Sequence, residues 1–298
     1  MPGALKTAHP VPILKKMAAP LPNTAAPKTP EQARTRELVR KALRNSATLD
    51  SAFELVRQPI VELASGRVSH HELLLRMRDD EGNLIKPGEF ASSIRDLGAD
   101  EQIDNWVTAR AVMMLVPTIP DWGPQLEINL SARTILSDGF FEQVSSALHR
   151  RQVSQDALII EVAQGDTVDP EKMHHFMRRR FRLAHHFSLI DFESHGFESL
   201  NKLRTLPYDM VKIDGELIRD LPNNPGDQGI VTKIARLVRG QGRRTVAMHV
   251  EDADTVKILK EIDVDYGQGY YLGQPESLRG RSAKEGRPAT VAAEQALA

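Results

Sequence analysis

Short apolar or alternating runs recur along the middle of the chain, near residues 53–61, 67–75, 125–130, 157–162, 186–191, 208–213, 244–250 and 264–268. Each has the length of a strand. Between most of them the apolar spacing becomes helical. Residues 100–116 set Ile103, Trp106, Val107, Ala111 and Met114 on one face, and residues 227–240 do the same with Ile230, Ile234, Leu237 and Val238 before a stop at Gly240. Asp169-Pro170-Glu171 opens a further helix with a cap, a proline at the first helical position and an early acid. About eight strands alternating with helices predict an α/β fold, a TIM-like (β/α)8 barrel over residues 51–279. A doubly wound open sheet is the alternative. The sequence offers it neither a Gly-rich phosphate loop nor a dinucleotide fingerprint.

The pattern lapses at both ends. Seven of the 18 prolines fall in residues 1–30, and residues 1–50 hold nine Lys/Arg against three Asp/Glu. Residues 1–29 are read as a disordered basic Pro/Ala-rich segment, because they hold too few large apolar side chains to bury a core. Thr29-Pro30-Glu31-Gln32 then supplies an N-cap, a proline at the first helical position and a glutamine at the third. The helix it starts lies in a linker region, 30–50, with a thin apolar stripe of Leu38, Ala42 and Leu43. It reads as a solvated linker helix, with a docking helix for a partner as the sharper alternative. Residues 280–298 read as a flexible tail.

Composition narrows the chemistry. The net charge of −1 gives no basic field for nucleic acid, and with no cysteine there are no disulfides, thiolate metal sites or thiol nucleophiles. No apolar run approaches the roughly 18 residues of a membrane span. Pro10, Pro12, Lys15 and Lys16 interrupt what would be a signal peptide's apolar region, so the expected location is cytoplasmic.

The candidate site lies where the predicted strands end. Glu72 and Arg76, Asn129, Glu161, Asp191, Lys212 with Asp214, Glu251 and Gln268 close successive runs. In a barrel those ends meet on one face. A set rich in carboxylate and amide oxygen with one lysine suits hard divalent cations, and through them phosphate esters. The histidine pairs His70-His71, His174-His175 and His185-His186 suggest zinc, but neighbours on a strand face opposite ways and chelate poorly. Arg178-Arg179-Arg180-Phe181-Arg182 reads as a solvated helix face.

These residues resemble the EAL-domain phosphodiesterases of bacterial cyclic di-GMP signalling. The resemblance runs from about Phe53 to Leu278. It is carried by Gln58-Pro59-Ile60, His71-Glu72-Leu73-Leu74-Leu75-Arg76, Pro87-Gly88-Glu89-Phe90, Ile103-Asp104-Asn105-Trp106-Val107 and Ile128-Asn129-Leu130-Ser131-Ala132-Arg133. It continues in Ile160-Glu161, Asp191-Phe192, Val211-Lys212-Ile213-Asp214 and Tyr266-Gly267-Gln268-Gly269-Tyr270. The resemblance implies a TIM-like barrel, often dimeric, that binds cyclic di-GMP, and in active members hydrolyses it with Mg²⁺ or Mn²⁺. It implies metal-ligand roles for Glu72, Asn129, Glu161 and Asp191. It implies catalytic roles for Lys212, which positions the water, and for Glu251. Gln58, Arg76, Asn129 and Gln268 match positions that line the ligand.

The departures fall among the acids. Ile190 stands where the family has the first Asp of its Asp-Asp pair, and Met248 where it has the first Glu of Ala-Glu-Gly-Val-Glu. His249 replaces the glycine beside Met248, Gln164 replaces an acid after Glu161, and Glu193-Ser194-His195-Gly196-Phe197-Glu198 replaces a loop about one residue shorter. An isoleucine supplies no oxygen to bridge two metals, and Mg²⁺ demands a nearly complete oxygen shell. Any Mg²⁺ or Mn²⁺ is therefore expected to be weakly held. Losing a general base typically costs about 10²–10⁴ in rate. The expectation is a degenerate EAL domain, a cyclic di-GMP receptor or protein-interaction module with an unidentified protein partner. The alternatives are a weakly active phosphodiesterase, rescued by Glu193 or a shifted metal, and a scaffold that binds no nucleotide. The crowded carboxylates predict that one is protonated or finds a cation.

Overall fold

The computed structural model describes residues 29–115, 125–163, 186–192 and 208–278, with residues 186–192 as backbone only. The segment up to residue 28, Gln164, the helix after Asp169, His174-His175, the arginine run at 178–182, His185, the loop 193–198 and the tail 280–298 lie outside the described residues.

The described residues form ten strands, β1 (Phe53–Glu62), β2 (Val68–Arg78), β3 (Leu84–Ile85), β4 (Leu126–Leu130), β5 (Leu158–Ala163), β6 (His186–Phe192), β7 (Met210–Ile213), β8 (Arg244–Ala247), β9 (Tyr266–Gly267) and β10 (Glu276–Ser277). Backbone pairing runs through β1, β9, β8, β7, β6, β5, β4 and β2 and returns to β1, which closes the barrel. Two short strands, β3 and β10, attach to β2 and β1. The TIM-like barrel expected from the pattern is thus present.

One strand departs from an all-parallel barrel. β1 is antiparallel to both β2 and β9, while the pairs from β2 to β4 and onward to β9 are parallel. The cause is local. Residues 63–67 connect β1 to β2 too tightly for a crossover helix, and Gly66 turns with φ 71°. Glu62 N–H donates to Arg67 O at 2.9 Å, which seals a hairpin. A hairpin forces antiparallel neighbours.

Outward-facing apolar positions on the strands pack against the helices. Leu73, Leu126, Ile128, Leu158 and Ile160 join one large cluster, and Val211, Ile213 and Ala247 join a second. A small third cluster, Ile60, Ile159, Met210 and Val246 with Tyr266 against it, fills the floor of the barrel. The alternate positions above that floor are polar.

The helix at the start of the described chain, Pro30–Ala42, begins as its cap predicts, with Gln32 N–H donating to Thr29 Oγ1 at 3.1 Å. The expectation that it is solvated is corrected. Arg36, Val39 and Ala42 are buried, and Val39, Ala42 and Leu43 belong to the large outer cluster. The expected stripe of Leu38, Ala42 and Leu43 lacks Val39, which completes the buried face. The helix Pro225–Arg239 likewise buries Val231, Ile234, Ala235 and Val238, with Ile230 and Leu237 half-buried at the margin. Among the described residues, no helix is long and apolar enough to cross a membrane.

Candidate active site

Register places the polar side chains before any contact is considered. Gln58 pairs with Glu72 across the hairpin, Glu72 with Glu127, and Asn129 with Glu161. Paired positions share a face, and residues two apart along a strand share it too. Gln58, Glu72, Glu127, Asn129 and Glu161 therefore line the interior. Lys212 joins them two positions beyond Met210 of the apolar floor.

The contacts converge on the Lys212 ammonium. Its Nζ lies 2.7 Å from Glu161 Oε2, 2.9 Å from Glu72 Oε2 and 3.1 Å from Glu127 Oε2. The first two are hydrogen bonds. Asn129 Nδ2 donates to Glu72 Oε1 at 2.6 Å, and Gln268 Nε2 donates to Glu72 Oε2 at 2.6 Å. Gln268 Nε2 also reaches Gln58 Oε1 at 3.3 Å, and Gln58 Nε2 donates to Gly273 O at 3.0 Å. That last bond ties the site to the loop after β9. The loop lies so close that a methyl group at Gly273 would come within 2.2 Å of Pro59 Cγ.

Burial makes the electrostatics severe. Lys212 is fully buried, Glu127 is fully buried, and Glu161 and Glu72 nearly so. Burial alone would discharge Lys212, but Glu127, Glu161 and Glu72 outweigh it and hold the ammonium charged, its pKa well above the ordinary lysine value. Burial and then the Glu72 charge push Glu161 well above the usual carboxylate range, against the pull of Lys212. Burial opposes ionisation of Glu127 as well, but Lys212 and His70 reverse the effect and hold it down to about 2. The crowding foreseen from the sequence thus shows at Glu161, whose carboxyl is made harder to ionise.

Glu127 and His70 were missed as site residues. The run Leu126-Glu127-Ile128-Asn129-Leu130 was read only for its end, Asn129, yet Glu127 lies two positions earlier and so on the same face. That parity was the available signal. His70 pairs with Ile60 of the floor, so it too faces inward, with Nε2 3.5 Å from Glu127 Oε2, which is too long for a hydrogen bond.

The other expected residues lie apart from this cluster. Arg76, half-buried, donates from Nη1 to Leu75 O at 2.8 Å, and burial lowers its pKa against the nearby Tyr270 and Glu72. Glu251 is exposed beyond β8 and Met248 is half-buried. His249 is exposed in a left-handed conformation, φ 56°, with its ring against Gly215, where a methyl group would lie 2.2 Å from Cδ2. Asp214 caps the helix Gly215–Ile218, accepting from Glu216 N–H at 2.9 Å. Ile190 pairs with Ala163, two register positions beyond the Glu161–Ser188 pair. Asp191 falls where the β6–β7 register shifts between Leu189 and Phe192.

Carboxylate oxygens of Glu72, Glu127 and Glu161 all lie within 4.8 Å of one another. Both Glu127 oxygens lack a hydrogen-bond partner. Hard oxygen donors with unmet acceptor capacity fit Mg²⁺ or Mn²⁺.

A sequence model of the EAL domain matches residues 40–275. The chain belongs to the EAL domain family. The cyclic di-GMP phosphodiesterase PdeB of Shewanella oneidensis is 31% identical over 227 residues, covering 75% of this chain and 26% of that protein. The cyclic di-GMP phosphodiesterase PdeF of Escherichia coli is 30% identical over 228 residues, 76% of this chain and 30% of that protein. The chain thus spans about a quarter to a third of the curated relatives it matches. Among solved structures, the FimX EAL domain of Pseudomonas aeruginosa bound to c-di-GMP superposes with a TM-score of 0.70 at 24% identity, covering 81% of this chain and 96% of that one. This EAL domain therefore shares its fold with that EAL domain.

Proposed function

We propose that this EAL domain takes cyclic di-GMP at the barrel mouth and opens it slowly, with a divalent ion, to the linear dinucleotide. The observation that carries the reading is the buried Glu72–Glu161–Lys212 cluster, braced by Asn129 and Gln268. The family resemblance assigns metal-ligand roles to Glu72, Asn129 and Glu161 and the water-positioning role to Lys212. Two relatives of about 30% identity that bear the name cyclic di-GMP phosphodiesterase support it.

Glu72, Glu161 and Asn129 would hold the ion, with Asp191 as the further ligand that the resemblance implies. When bound, a hard divalent ion supplies Lewis-acid activation of water and charge neutralisation at the phosphate. Lys212 stays an ammonium, so it orients water and stabilises charge by donating hydrogen bonds, and does not act as a base. Arg76 offers a planar guanidinium to a phosphate above the cluster.

A second reading, a cyclic di-GMP receptor that does not hydrolyse, is favoured by Ile190 and Met248, which replace two family acids. Purified protein with cyclic di-GMP and Mn²⁺ separates the readings. Linear product, abolished by Glu72→Ala, supports the phosphodiesterase. Calorimetric binding with no turnover supports the receptor. Neither binding nor turnover leaves a scaffold.

A further inference from the structure

We infer that Glu127, which the family resemblance does not assign, is the third carboxylate beside Glu72 and Glu161 in a site for one divalent cation. The inference rests on the proposed reading of this chamber as one that holds a metal, and not on hydrolysis.

The first ground is geometry. Glu127 brings a carboxylate oxygen within 4.8 Å of those of Glu72 and Glu161, and all three side chains are buried. The second is unmet bonding. Neither Glu127 oxygen accepts a hydrogen bond, and its contact with Lys212 at 3.1 Å is an ion pair only. His70, 1% exposed, aims an Nε2 with no hydrogen-bond partner at the same carboxylate from 3.5 Å. Buried polar atoms left unsatisfied are costly, and two groups facing each other in that condition mark a place for a ligand.

The third ground is charge. Three carboxylates against the Lys212 ammonium leave two negative charges in a space shut off from water. One divalent ion balances them; a second would overshoot. Glu127 thus returns to the chamber a carboxylate of the kind that Ile190 removed from the barrel mouth. Its place is on β4 at the level of Glu72, two residues below Asn129.

The test uses the full chain and Mn²⁺ alone, with free Mn²⁺ followed by electron paramagnetic resonance and binding heats by calorimetry. One ion per chain is expected. Glu127→Gln, which keeps shape and removes charge, should weaken Mn²⁺ binding at least tenfold. Glu127→Asp, which keeps charge and withdraws the oxygens by one methylene, should weaken it by a similar factor. It decides the matter if the glutamine variant fails to fold by circular dichroism. A folded variant of either kind that binds within threefold of the parent overturns the role of Glu127 and leaves the proposed function standing. Two equally tight ions per chain overturn the single-ion site. No Mn²⁺ binding by the parent overturns both this site and metal-dependent hydrolysis.

Discussion

Lys212 Nζ lies 2.7 Å from Glu161 Oε2, and both side chains are buried. The two residues stand on strands β7 and β5, 51 positions apart in sequence. Among the described residues, the ammonium is the one counter-charge that reaches Glu72, Glu127 and Glu161 together.

Removing that charge should therefore be costly. Lys212→Met keeps the stem and leaves three carboxylates uncompensated. Breaking a buried ion pair on one side typically costs about 3–5 kcal/mol. Urea denaturation should show a loss of this size, and added Mn²⁺ should recover part of it. An unchanged midpoint would mean that the cluster is already protonated and neutral.

Asp104 gives the chain a pH dependence away from the candidate site. Its Oδ2 accepts from Ser131 N–H at 2.9 Å, Ser131 Oγ at 2.6 Å and Thr134 Oγ1 at 2.6 Å. Burial nevertheless raises its pKa to about 6, against those hydrogen bonds. The folded state then holds a proton that the unfolded state, with its carboxyl near 3.8, gives up. Stability from this group is full below that lower value and falls as pH rises towards about 6, by something on the order of 3 kcal/mol. Asp104→Asn, which keeps an acceptor for the same donors, should flatten unfolding free energy across that window. Parallel slopes in the two proteins would sink the assignment.

Gly269 is required by a backbone approach. A methyl group there would lie 2.1 Å from Val250 O and 2.3 Å from Val250 N. Those backbone atoms are committed, since Val250 N–H donates to Gln268 O and Val250 O accepts from Tyr271 N–H. Gly269→Ala should cost about 1–3 kcal/mol, the usual range for overpacking. It should also weaken cyclic di-GMP binding by shifting Gln268. Thermal melting read beside calorimetry checks both, and a variant as stable as the parent would exclude the clash.

The acids that the family resemblance places at positions 190 and 248 can be introduced. Ile190→Asp with Met248→Glu should raise turnover of cyclic di-GMP by about 10²-fold or more, the scale of a regained base. The yield of linear dinucleotide measures it. A double variant no faster than the parent would shift the deficit to the loop after Asp191.

Much of the site could be read from the chain because barrel strands end on one face. Glu72, Asn129, Glu161, Lys212 and Gln268 were each marked by a polar residue closing an apolar run, and the fold brings them into contact. Glu127 escaped because a single acid inside Leu126–Leu130 reads as one polar residue in an apolar strand. Its parity with Asn129 has meaning only once the barrel interior is known to be polar at that level. The helix Pro30–Ala42 escaped for a similar reason, since the apolar surface that covers Val39 comes from elements distant in the chain.

The sequence by itself determined the eight barrel strands and the helix caps, because periodicity and capping are local and each residue carries its own preference. Only the tertiary structure decided that β1 runs against its neighbours, and that four charged side chains share one dry chamber. It also decided that burial and the neighbouring Glu72 charge raise the Glu161 pKa above the usual carboxylate range. Burial and charge proximity are properties of the closed barrel, and they arise only when strands far apart in the chain are brought side by side.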